Sequence, residues 1–285
     1  MIGKYSVLMS VYYKEKPEYL LVSIKSMLNQ TYKPDEIVLV KDGQLSEELN
    51  QVINDFIKEE PFLFKVVVLK ENLGLAKALD EGLKNCKNEL VARMDSDDIS
   101  LPKRCELQME VFERDPNLSI VGTMIDEFYD EPSNIVSSRI VPVHHEDIVK
   151  FIKRRSPFNH PTVMYKKSAV TSSGGYGELR RKQDLDLFSR MINNDLKAYN
   201  INQSLLLFRS NRDNFQRRKS WDNCRSYINV EVAIWKRGHC SLTDLAVVIG
   251  AQFVIYLAPL WLLKKISGKY LRSEKKNKEN SETYI

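Results

Sequence analysis

Short apolar runs alternate with amphipathic stretches through the first third of the chain. The apolar runs, which lack a helical period and so predict buried strands, are residues 5–12, 36–40, 64–69 and 90–92. Residues 17–30 and 75–83 carry apolar side chains at helical spacing, and Ser46 before two glutamates predicts the start of another helix. Strands that alternate with helices in this way form parallel βαβ units. The pattern therefore predicts an α/β fold with a doubly wound sheet.

The pattern is less regular further along the chain. It predicts helices over residues 102–115, 146–153, 183–191 and 220–236, and strands over residues 118–125 and 197–208. Between residues 126 and 156 the periodicity weakens, and residues 158–165 resemble a loop that enters a strand. Residues 172–177 contain three glycines and two serines, which predicts a mobile loop.

Polar residues follow three of the predicted strands. Asp42, Asn72 and Asp95 each stand where a strand ends, and Asp97 and Asp98 follow closely. In open α/β sheets the ligand crevice lies outside the carboxyl ends of the strands, so these residues are expected to converge there. Several carboxylates in a short turn suit Mg²⁺ or Mn²⁺, whose remaining positions are filled by water and phosphate oxygens. A nucleotide diphosphate is the expected partner.

The acidic turn has two other interpretations. A solvated turn before the helix that Pro102 opens is the simpler alternative for an isolated Asp-x-Asp. A calcium-binding EF-hand loop is excluded, because it requires an oxygen ligand at its fifth position and glycine at its sixth, where this chain has Ile99 and Ser100.

Composition is that of an ordinary globular protein of 285 residues, with 43% hydrophobic and 28% charged residues. The net charge is +5, and residues 264–285, with seven lysines or arginines and three glutamates, account for +4 of it. This distribution argues against a nucleic-acid-binding face. The four cysteines form no C-x-x-C pair, and no signal-peptide pattern stands at the N-terminus. Reduced thiols and a cytoplasmic catalytic part are therefore expected.

Several segments together resemble family 2 of the inverting glycosyltransferases, of the type found in bacterial polysaccharide assembly. They are residues 6–12, Ser26 with Gln30, residues 40–43, residues 72–74 with Ala78 and Gly82, residues 95–98, and Gln183-Asp184 with Leu187 and Arg190. The resemblance covers roughly residues 4 to 210. It implies a GT-A fold, a Rossmann-like doubly wound mixed sheet, with a nucleotide-diphosphate sugar as donor and Mn²⁺ or Mg²⁺ as cofactor.

The resemblance also implies roles for individual residues. Ser10, Val11 and Tyr12 line the base pocket, Glu15 lies near the ribose and Asp42 accepts hydrogen bonds from the base. Asp95 contacts the ribose or the metal, Asp97 coordinates the metal, and Asp184 is the general base. The remaining expected substrate-binding residues are Asn72, Arg93, His160, Gln183 and Arg209.

Alternatives remain for several of these residues. Asp184 could be only an acid in the first turn of a helix, and Asp186 is a competing base. His160 could be structural, and Arg209, Arg212, Arg217 and Arg218 could belong to a solvated loop instead of gripping phosphate. Two positions depart from the family pattern: Gln183 replaces a glutamate that often precedes the base, and Lys41 replaces a frequent aspartate.

Residues 245–263 form a 19-residue apolar run whose only strongly polar side chain is Gln252. A helix of this length reaches roughly 28 Å, close to the thickness of a bilayer core. A span would send the basic residues 264–285 outward, against the positive-inside rule. We therefore expect a monotopic or re-entrant segment on the inner leaflet, and the alternative is a helix packed on the catalytic domain.

These expectations combine into one functional hypothesis. Residues 1–215 form a GT-A glycosyltransferase domain and residues 216–285 a membrane-associated helical segment with a basic tail, at the cytoplasmic face of the cell membrane. The acceptor is a polyprenyl-diphosphate-linked saccharide and the donor a UDP-sugar, with galactose preferred and dTDP-rhamnose open. The other hypotheses are a non-catalytic nucleotide-sugar-binding scaffold and a nucleotidyltransferase; the latter lacks the glycine-rich turn after the first strand.

Overall fold

The computed structural model of the chain describes residues 3–210 and 219–259. The strands within these residues are β1 (Tyr5–Val11), β2 (Glu36–Lys41), β3 (Phe64–Val68), β4 (Leu90–Asp95), β5 (Ile99–Ser100), β6 (Leu118–Phe128), β7 (Ile135–Arg139), β8 (Met164–Lys166) and β9 (Lys197–Arg209). The α-helices are α1 (Pro17–Leu28), α2 (Glu47–Glu59), α3 (Leu75–Asn85), α4 (Arg104–Arg114), α5 (His145–Phe151), α6 (Lys167–Ser172), α7 (Gln183–Asn193), α8 (Trp221–Lys236) and α9 (Leu242–Leu257), and a 3₁₀ turn covers His160–Thr162.

The strands of the described residues form one mixed sheet. Their order is β3-β2-β1-β4-β8-β6-β9-β5, and β7 pairs with β6 beside this path. β1 pairs with β2 and β4, and β2 with β3, all in parallel. β8 is antiparallel to both β4 and β6, whereas β6 and β9 are parallel. The expected α/β fold with a mixed sheet is confirmed.

The parallel strands end together at one edge of the sheet. Ser10 of β1 pairs with Val40 of β2 on one side and with Asp95 of β4 on the other. The residues that follow these strands, including Tyr12 and Asp42, consequently leave the sheet at the same edge. This register brings residues that are far apart in the chain into one crevice.

Alternation along the central strands divides the core into two layers. Leu8 and Val40 face the layer that contains α3 and α7, whereas Met9 and Leu39 face the layer that contains α1 and α2. α3 lies very close to the sheet, because a Cβ added to Gly82 would be 2.4 Å from Cδ1 of Leu8 and 2.6 Å from Cγ2 of Val40. A glycine at this position lets the helix and the sheet approach each other.

The two last described helices pack on this fold and on each other. Val230 and Ile234 of α8 join the core layer that contains α3 and α7. α9 begins with a capping box, in which Ser241 accepts from the backbone of Asp244 and the Asp244 carboxylate accepts from the backbone of Ser241. Asp244 also forms an ion pair of 2.6 Å with Arg154, which ties α9 to the loop after α5.

α9 contains most of the apolar run at residues 245–263, for which a monotopic or re-entrant membrane segment is expected. It begins at Leu242 and ends at Leu257, before Pro259, and residues 260–263 of the run lie outside the described residues. No helix in the described part of the chain has both the length and the apolar character needed to cross a bilayer. Gln252 is buried, while Val254 is 54% and Leu257 is 72% exposed. The helix thus packs through one face and presents an apolar face outward.

Local details differ from the sequence predictions. α4 begins at Arg104 and not at Pro102. The strand β7 lies in the stretch where periodicity weakens, and the two-residue β5 and the short helix α6 were not predicted. β5 has its place because it pairs with the end of β9, with Ile99 opposite Leu207. Elements this short carry too few residues for a hydrophobic period to be detected.

Glu231 of α8 is a buried carboxylate with an altered pKa. It is fully buried, and neither of its carboxylate oxygens accepts a hydrogen bond from any residue that the structure describes. Burial, followed by the negative charge of Asp244, raises the pKa of Glu231 from 4.5 to about 7. Because the folded protein then binds this proton more tightly than the unfolded chain, folding stability falls as pH rises through that interval.

We predict that Glu231→Gln removes this loss of stability. Above pH 7 the free energy of unfolding of the variant should exceed that of the wild type by up to about 3 kcal/mol, and the difference should vanish toward pH 4.5. Urea unfolding of both proteins across this pH range measures the effect. Parallel pH profiles for the two proteins would contradict the prediction.

Candidate active site

Three carboxylates lie together at the end of β4. Asp95 is the last residue of the strand, and Asp97 and Asp98 follow in the turn before β5. One ligand oxygen from each of the three lies within 4.8 Å of the others. Asp98 is fully buried, whereas Asp95 and Asp97 are partly exposed. The acidic turn, residues 95–98, therefore presents two accessible carboxylates beside a buried one.

Burial and neighbouring negative charge raise the pKa of two carboxyl groups in the acidic turn, Asp97 and Asp98. Burial, followed by the charges of Asp95 and Glu15, raises the pKa of Asp97 to about 7. Burial, followed by the charges of Asp97 and Asp95, raises the pKa of Asp98 well above its ordinary value. A cation among these groups would favour their charged forms. The oxygen-only ligand set and its negative charge fit Mn²⁺ or Mg²⁺.

Two arginines contact the acidic turn. Arg93 is 1% exposed and forms an ion pair with Asp95, while its Nε and Nη1 have no hydrogen-bond partner among the described residues. The backbone N–H of Arg209 donates to Oδ1 of Asp98 at 2.8 Å, and its Nε donates to the carbonyl of Asp97 at 2.9 Å. The Arg209 guanidinium also lies over the ring of Tyr19, 3.9 Å from its centroid. Both expected substrate-binding arginines thus hold the turn in place.

Polar side chains of α1, and Gln30 just after it, also support the turn. The Ser23 hydroxyl donates to the carbonyl of Asp95 at 2.6 Å, and the Ser26 hydroxyl accepts from the backbone of Ser100 at 3.0 Å. The Gln30 amide donates to the hydroxyl of Ser100 at 3.0 Å. Ser26 and Gln30, two residues of the family pattern, therefore position β5 and the acidic turn.

Asp42 organises the loop after β3. Its Oδ1 accepts from the backbone N–H of Leu73 at 2.7 Å, and its Oδ2 accepts from the backbone N–H of Gly74 and the side chain of Asn72, both at 3.0 Å. Asp42 is 3% exposed and Asn72 is exposed. Gly43, next to Asp42, has φ +86°, and a Cβ there would lie 2.7 Å from the backbone nitrogen of Asn72. Asp42 and Gly43 together define this wall of the crevice.

The residues expected near the nucleotide line the end of β1. Ser10 lies beside Asp95 in the sheet, and Val11 is buried. Tyr12 is 42% exposed. Glu15 accepts a hydrogen bond from the hydroxyl of Ser96, so it borders the acidic turn directly. The structure brings all four to the same edge as Asp42 and the acidic turn.

The two aspartates at the start of α7 have different surroundings. Asp186 is buried and bridges two arginines, with Arg190 Nε at 3.0 Å and Arg237 Nη2 at 2.6 Å. Asp184 is partly exposed and lines a cavity of about 1150 Å³. Gln183, which precedes it, is buried. Of the two candidate bases, Asp184 is the one that faces open space.

His160 lies in an aromatic cluster. Its Nε2 is 3.0 Å from the hydroxyl of Tyr176, and its ring packs against those of Tyr176 and Phe188. Burial, followed by the positive charge of Arg93, holds the pKa of His160 well below its ordinary value. His160 is therefore neutral, so any contact with a phosphate would be a hydrogen bond and not an ion pair.

The glycine-rich loop is anchored, in contrast to the mobile loop that its composition predicted. Asp80 accepts from the backbone N–H groups of Tyr176 at 2.7 Å and Gly177 at 3.1 Å. Arg190 donates to the carbonyls of Ser173 and Gly175. Asp80 and Tyr176 are not among the site residues predicted from the sequence, and their contacts join α3 to a segment almost a hundred residues later. Nothing in the local sequence signals this pairing.

Comparison with known proteins decides the family. The family model described as Glycosyl transferase family 2 matches residues 6–176, which is more than half of the chain. The chain belongs to glycosyl transferase family 2. The resemblance found in the sequence motifs is confirmed, and the protein is a glycosyltransferase.

Relatives of this family 2 transferase include bacterial glycosyltransferases. A protein from Escherichia coli named UDP-Gal:alpha-D-GlcNAc-diphosphoundecaprenol beta-1,3-galactosyltransferase is 31% identical over 94% of this chain and 98% of its own length. The amylovoran biosynthesis glycosyltransferase AmsE of Erwinia amylovora is 38% identical over 81% of this chain and 84% of its own length.

A solved structure supports the fold of this family 2 transferase. The mannosyltransferase PcManGT from Pyrobaculum calidifontis, described in complex with GDP-Man and Mn²⁺, has a TM-score of 0.62 and 17% sequence identity. The likeness covers 93% of this chain and 73% of that chain. The GT-A fold is therefore confirmed.

We predict that Gly43→Ala severely destabilises this family 2 transferase. The added Cβ meets backbone and not a flexible side chain, so the loop held by Asp42 must move. Gly238→Ala is the matched control, because Gly238 also has positive φ, +78°, but has open space at its Cβ position. The control should lose about 1–2 kcal/mol and Gly43→Ala clearly more. Urea unfolding measures both, and equal losses would contradict the assignment of a clash.

Proposed function

We propose that the protein is an inverting hexosyltransferase that uses a nucleotide-diphosphate sugar and a lipid-linked saccharide acceptor. The observation that carries the proposal is a pair of carboxylate sites, the acidic turn and Asp184. The Tyr176 hydroxyl is within electrostatic reach of both, because the charges of Arg93, which binds Asp95, and of Asp184 act on it. The acidic turn is the donor side and Asp184 is the acceptor side.

The donor side combines the acidic turn with the wall formed around Asp42. Asp97 and Asp95 would hold Mn²⁺ or Mg²⁺, which would supply positive charge to offset the negative charge of the donor diphosphate. Ser10, Val11, Tyr12, Glu15 and Asn72 stand around this position and bind the nucleotide. Arg93, whose Nε and Nη1 have no hydrogen-bond partner among the described residues, and Arg209 add positive charge toward the phosphates.

Asp184 is the general base on the acceptor side. It takes the proton from an acceptor hydroxyl while that oxygen bonds to the anomeric carbon of the donor. The bond from this carbon to the diphosphate breaks, and its electron pair leaves with the nucleoside diphosphate. A single in-line displacement inverts the anomeric configuration, as in inverting glycosidases. Gln183 and His160 border this side and contact the acceptor.

The choice of sugar and acceptor rests on the relatives. The 31% identical Escherichia coli protein is named for UDP-Gal and for a GlcNAc-diphosphoundecaprenol acceptor, and it matches along nearly all of this chain. This supports a UDP-sugar, with galactose preferred and dTDP-rhamnose as the alternative donor. A polyprenyl-diphosphate acceptor in the assembly of capsule, O-antigen or exopolysaccharide follows from the same relative and from AmsE.

A lipid-linked acceptor requires contact with the membrane, and α9 offers a suitable surface. Phe253, Tyr256 and Leu257 are 44%, 39% and 72% exposed, and Trp221 lies 5.3 Å from Tyr256 between ring centroids. Exposed aromatic and aliphatic side chains of this kind partition into the bilayer interface. We assign this membrane-facing patch, residues 221, 253, 256 and 257, to the cytoplasmic leaflet; the basic residues 264–285, expected from the sequence to meet anionic headgroups, lie outside the described residues.

We predict that Asp184→Asn lowers kcat for sugar transfer by about 10²–10⁴-fold and leaves the melting temperature unchanged. The matched variant Asp186→Asn should instead lower the melting temperature, because it weakens the ion pairs with Arg190 and Arg237. Nucleoside diphosphate release and product mass are measured with a panel of UDP- and dTDP-sugars, Mn²⁺ and a synthetic GlcNAc-diphosphate-lipid.

Metal dependence is read in the same assay. Chelation by EDTA and the substitution Asp97→Ala should each abolish transfer, and Mn²⁺ or Mg²⁺ should restore it only in the chelated wild type. A wild type that binds UDP with metal but turns over none of these donors, with any lipid-linked acceptor, would favour the non-catalytic scaffold.

We predict that the double variant Phe253→Ser/Leu257→Asp lowers binding to vesicles containing phosphatidylglycerol by at least about tenfold, because apolar burial in the interface is lost. The matched control is Phe62→Asp, since Phe62 is 96% exposed and lies outside the membrane-facing patch. Cosedimentation with vesicles measures both. If the double variant binds like the control, α9 is not the membrane contact.

A further inference from the structure

The cavity that Asp184 lines extends well beyond this proposed general base. It lies between α5, the start of α7, α8 and α9, and its volume of about 1150 Å³ exceeds that of most small-molecule pockets. Asp184 and Leu185 of α7 form one part of its wall, and Tyr227 of α8 another. The space is therefore continuous from the proposed catalytic carboxylate to the C-terminal helices.

One side of the cavity is basic. Among the described lining residues the cations are Arg139, Lys150, Arg154, Arg155 and Lys182, and the carboxylates are Asp147, Asp184 and Asp244. Five cations against three carboxylates leave two positive charges. Two of these charges form an ion pair, between Arg154 and Asp244, and Lys182 lies over the ring of Tyr227 at 5.1 Å. This side suits a group with more than one negative charge, such as a diphosphate.

α9 contributes an apolar stripe to the cavity lining, beside its polar residues Asp244 and Gln252. Val247, Val248, Ala251, Val254 and Ile255 form this stripe, at the spacing of one helical face. The stripe spans eight residue steps, or about 12 Å. Val247 and Val254 are also 50% and 54% exposed, so the cavity opens at the outer surface of the same helix that carries the membrane-facing patch.

We propose that this cavity binds the diphosphate and the first isoprene units of a lipid-linked acceptor. The basic side holds the diphosphate, the α9 stripe holds the isoprene chain, and the attached sugar reaches Asp184. This inference rests on the proposed transferase function for the identity of the sugar acceptor. A water-soluble acceptor would leave the α9 stripe without an occupant, whereas a lipid chain follows it toward the bilayer.

Farnesyl diphosphate, which has the diphosphate and three isoprene units but no sugar, is the probe for binding. Isothermal titration calorimetry compares the wild type with Ala251→Trp, which fills the cavity, and with Gly250→Trp. Gly250 immediately precedes Ala251 on α9. It has open space at its Cβ position and does not line the cavity. We expect Ala251→Trp to weaken binding at least tenfold and Gly250→Trp to leave it within about twofold.

Inorganic pyrophosphate separates the two halves of the cavity. Arg155→Glu should weaken binding of both farnesyl diphosphate and pyrophosphate, while Ala251→Trp should weaken only that of farnesyl diphosphate. In transfer assays Ala251→Trp should raise KM for the GlcNAc-diphosphate-lipid at least tenfold and leave KM for the donor unchanged. Pyrophosphate binding as tightly as farnesyl diphosphate would overturn the assignment of the stripe to a lipid.

The failure of this inference differs from the failure of the proposed function. If sugar is transferred but the wild type binds no farnesyl diphosphate, or binds it equally well with Ala251→Trp, the cavity is not the lipid site. If farnesyl diphosphate binds with the expected dependence on Ala251 but no donor is consumed, the cavity assignment stands and the transferase proposal fails.

Discussion

Mutual repulsion among carboxylates at the end of β4 is the constraint on which the site depends. Asp95, Asp97 and Asp98 could relieve it by moving apart, but their turn is fixed by hydrogen bonds from α1 and from the end of β9. Burial of Asp97 and Asp98, followed by the negative charge of their neighbours, raises the pKa of both carboxyl groups. A cation among these carboxylates is favourable because it stabilises their charged forms. A divalent metal ion bound to a diphosphate is such a cation.

The two aspartates of α7 differ in whether their charge is paired with arginines. Asp186 forms ion pairs with Arg190 and Arg237, and Arg190 in turn fixes the glycine-rich loop. Its charge is therefore part of the structural framework. Asp184, two residues earlier and on another side of the helix, faces the cavity. The ion pairs of Asp186 fix the start of α7, so the exposed carboxylate of Asp184 keeps a defined orientation. A general base requires such an orientation.

α9 differs from an ordinary surface helix in the distribution of its side chains. Asp244 and Gln252 are buried, whereas Phe253, Val254 and Leu257 are exposed. A soluble surface helix usually has the opposite arrangement. The proposed membrane contact and the proposed lipid site both explain it, because one helix can serve the bilayer with its outer face and the acceptor chain with its cavity face. Acceptor binding and membrane attachment would then both depend on α9, a helix of 16 residues.

Periodicity alone was sufficient to predict β1 to β4 and the helices between them, since buried parallel strands and amphipathic helices leave strong local patterns. The acidic turn could be named as a candidate because its carboxylates follow a predicted strand, and Asp184 because of the resemblance to family 2 glycosyltransferases. The antiparallel position of β8 between β4 and β6, the anchoring of the glycine-rich loop by Asp80, and the ion pairs that separate Asp186 from Asp184 could not be predicted. Each joins segments distant in the chain, and such contacts depend on three-dimensional packing, which no local pattern encodes.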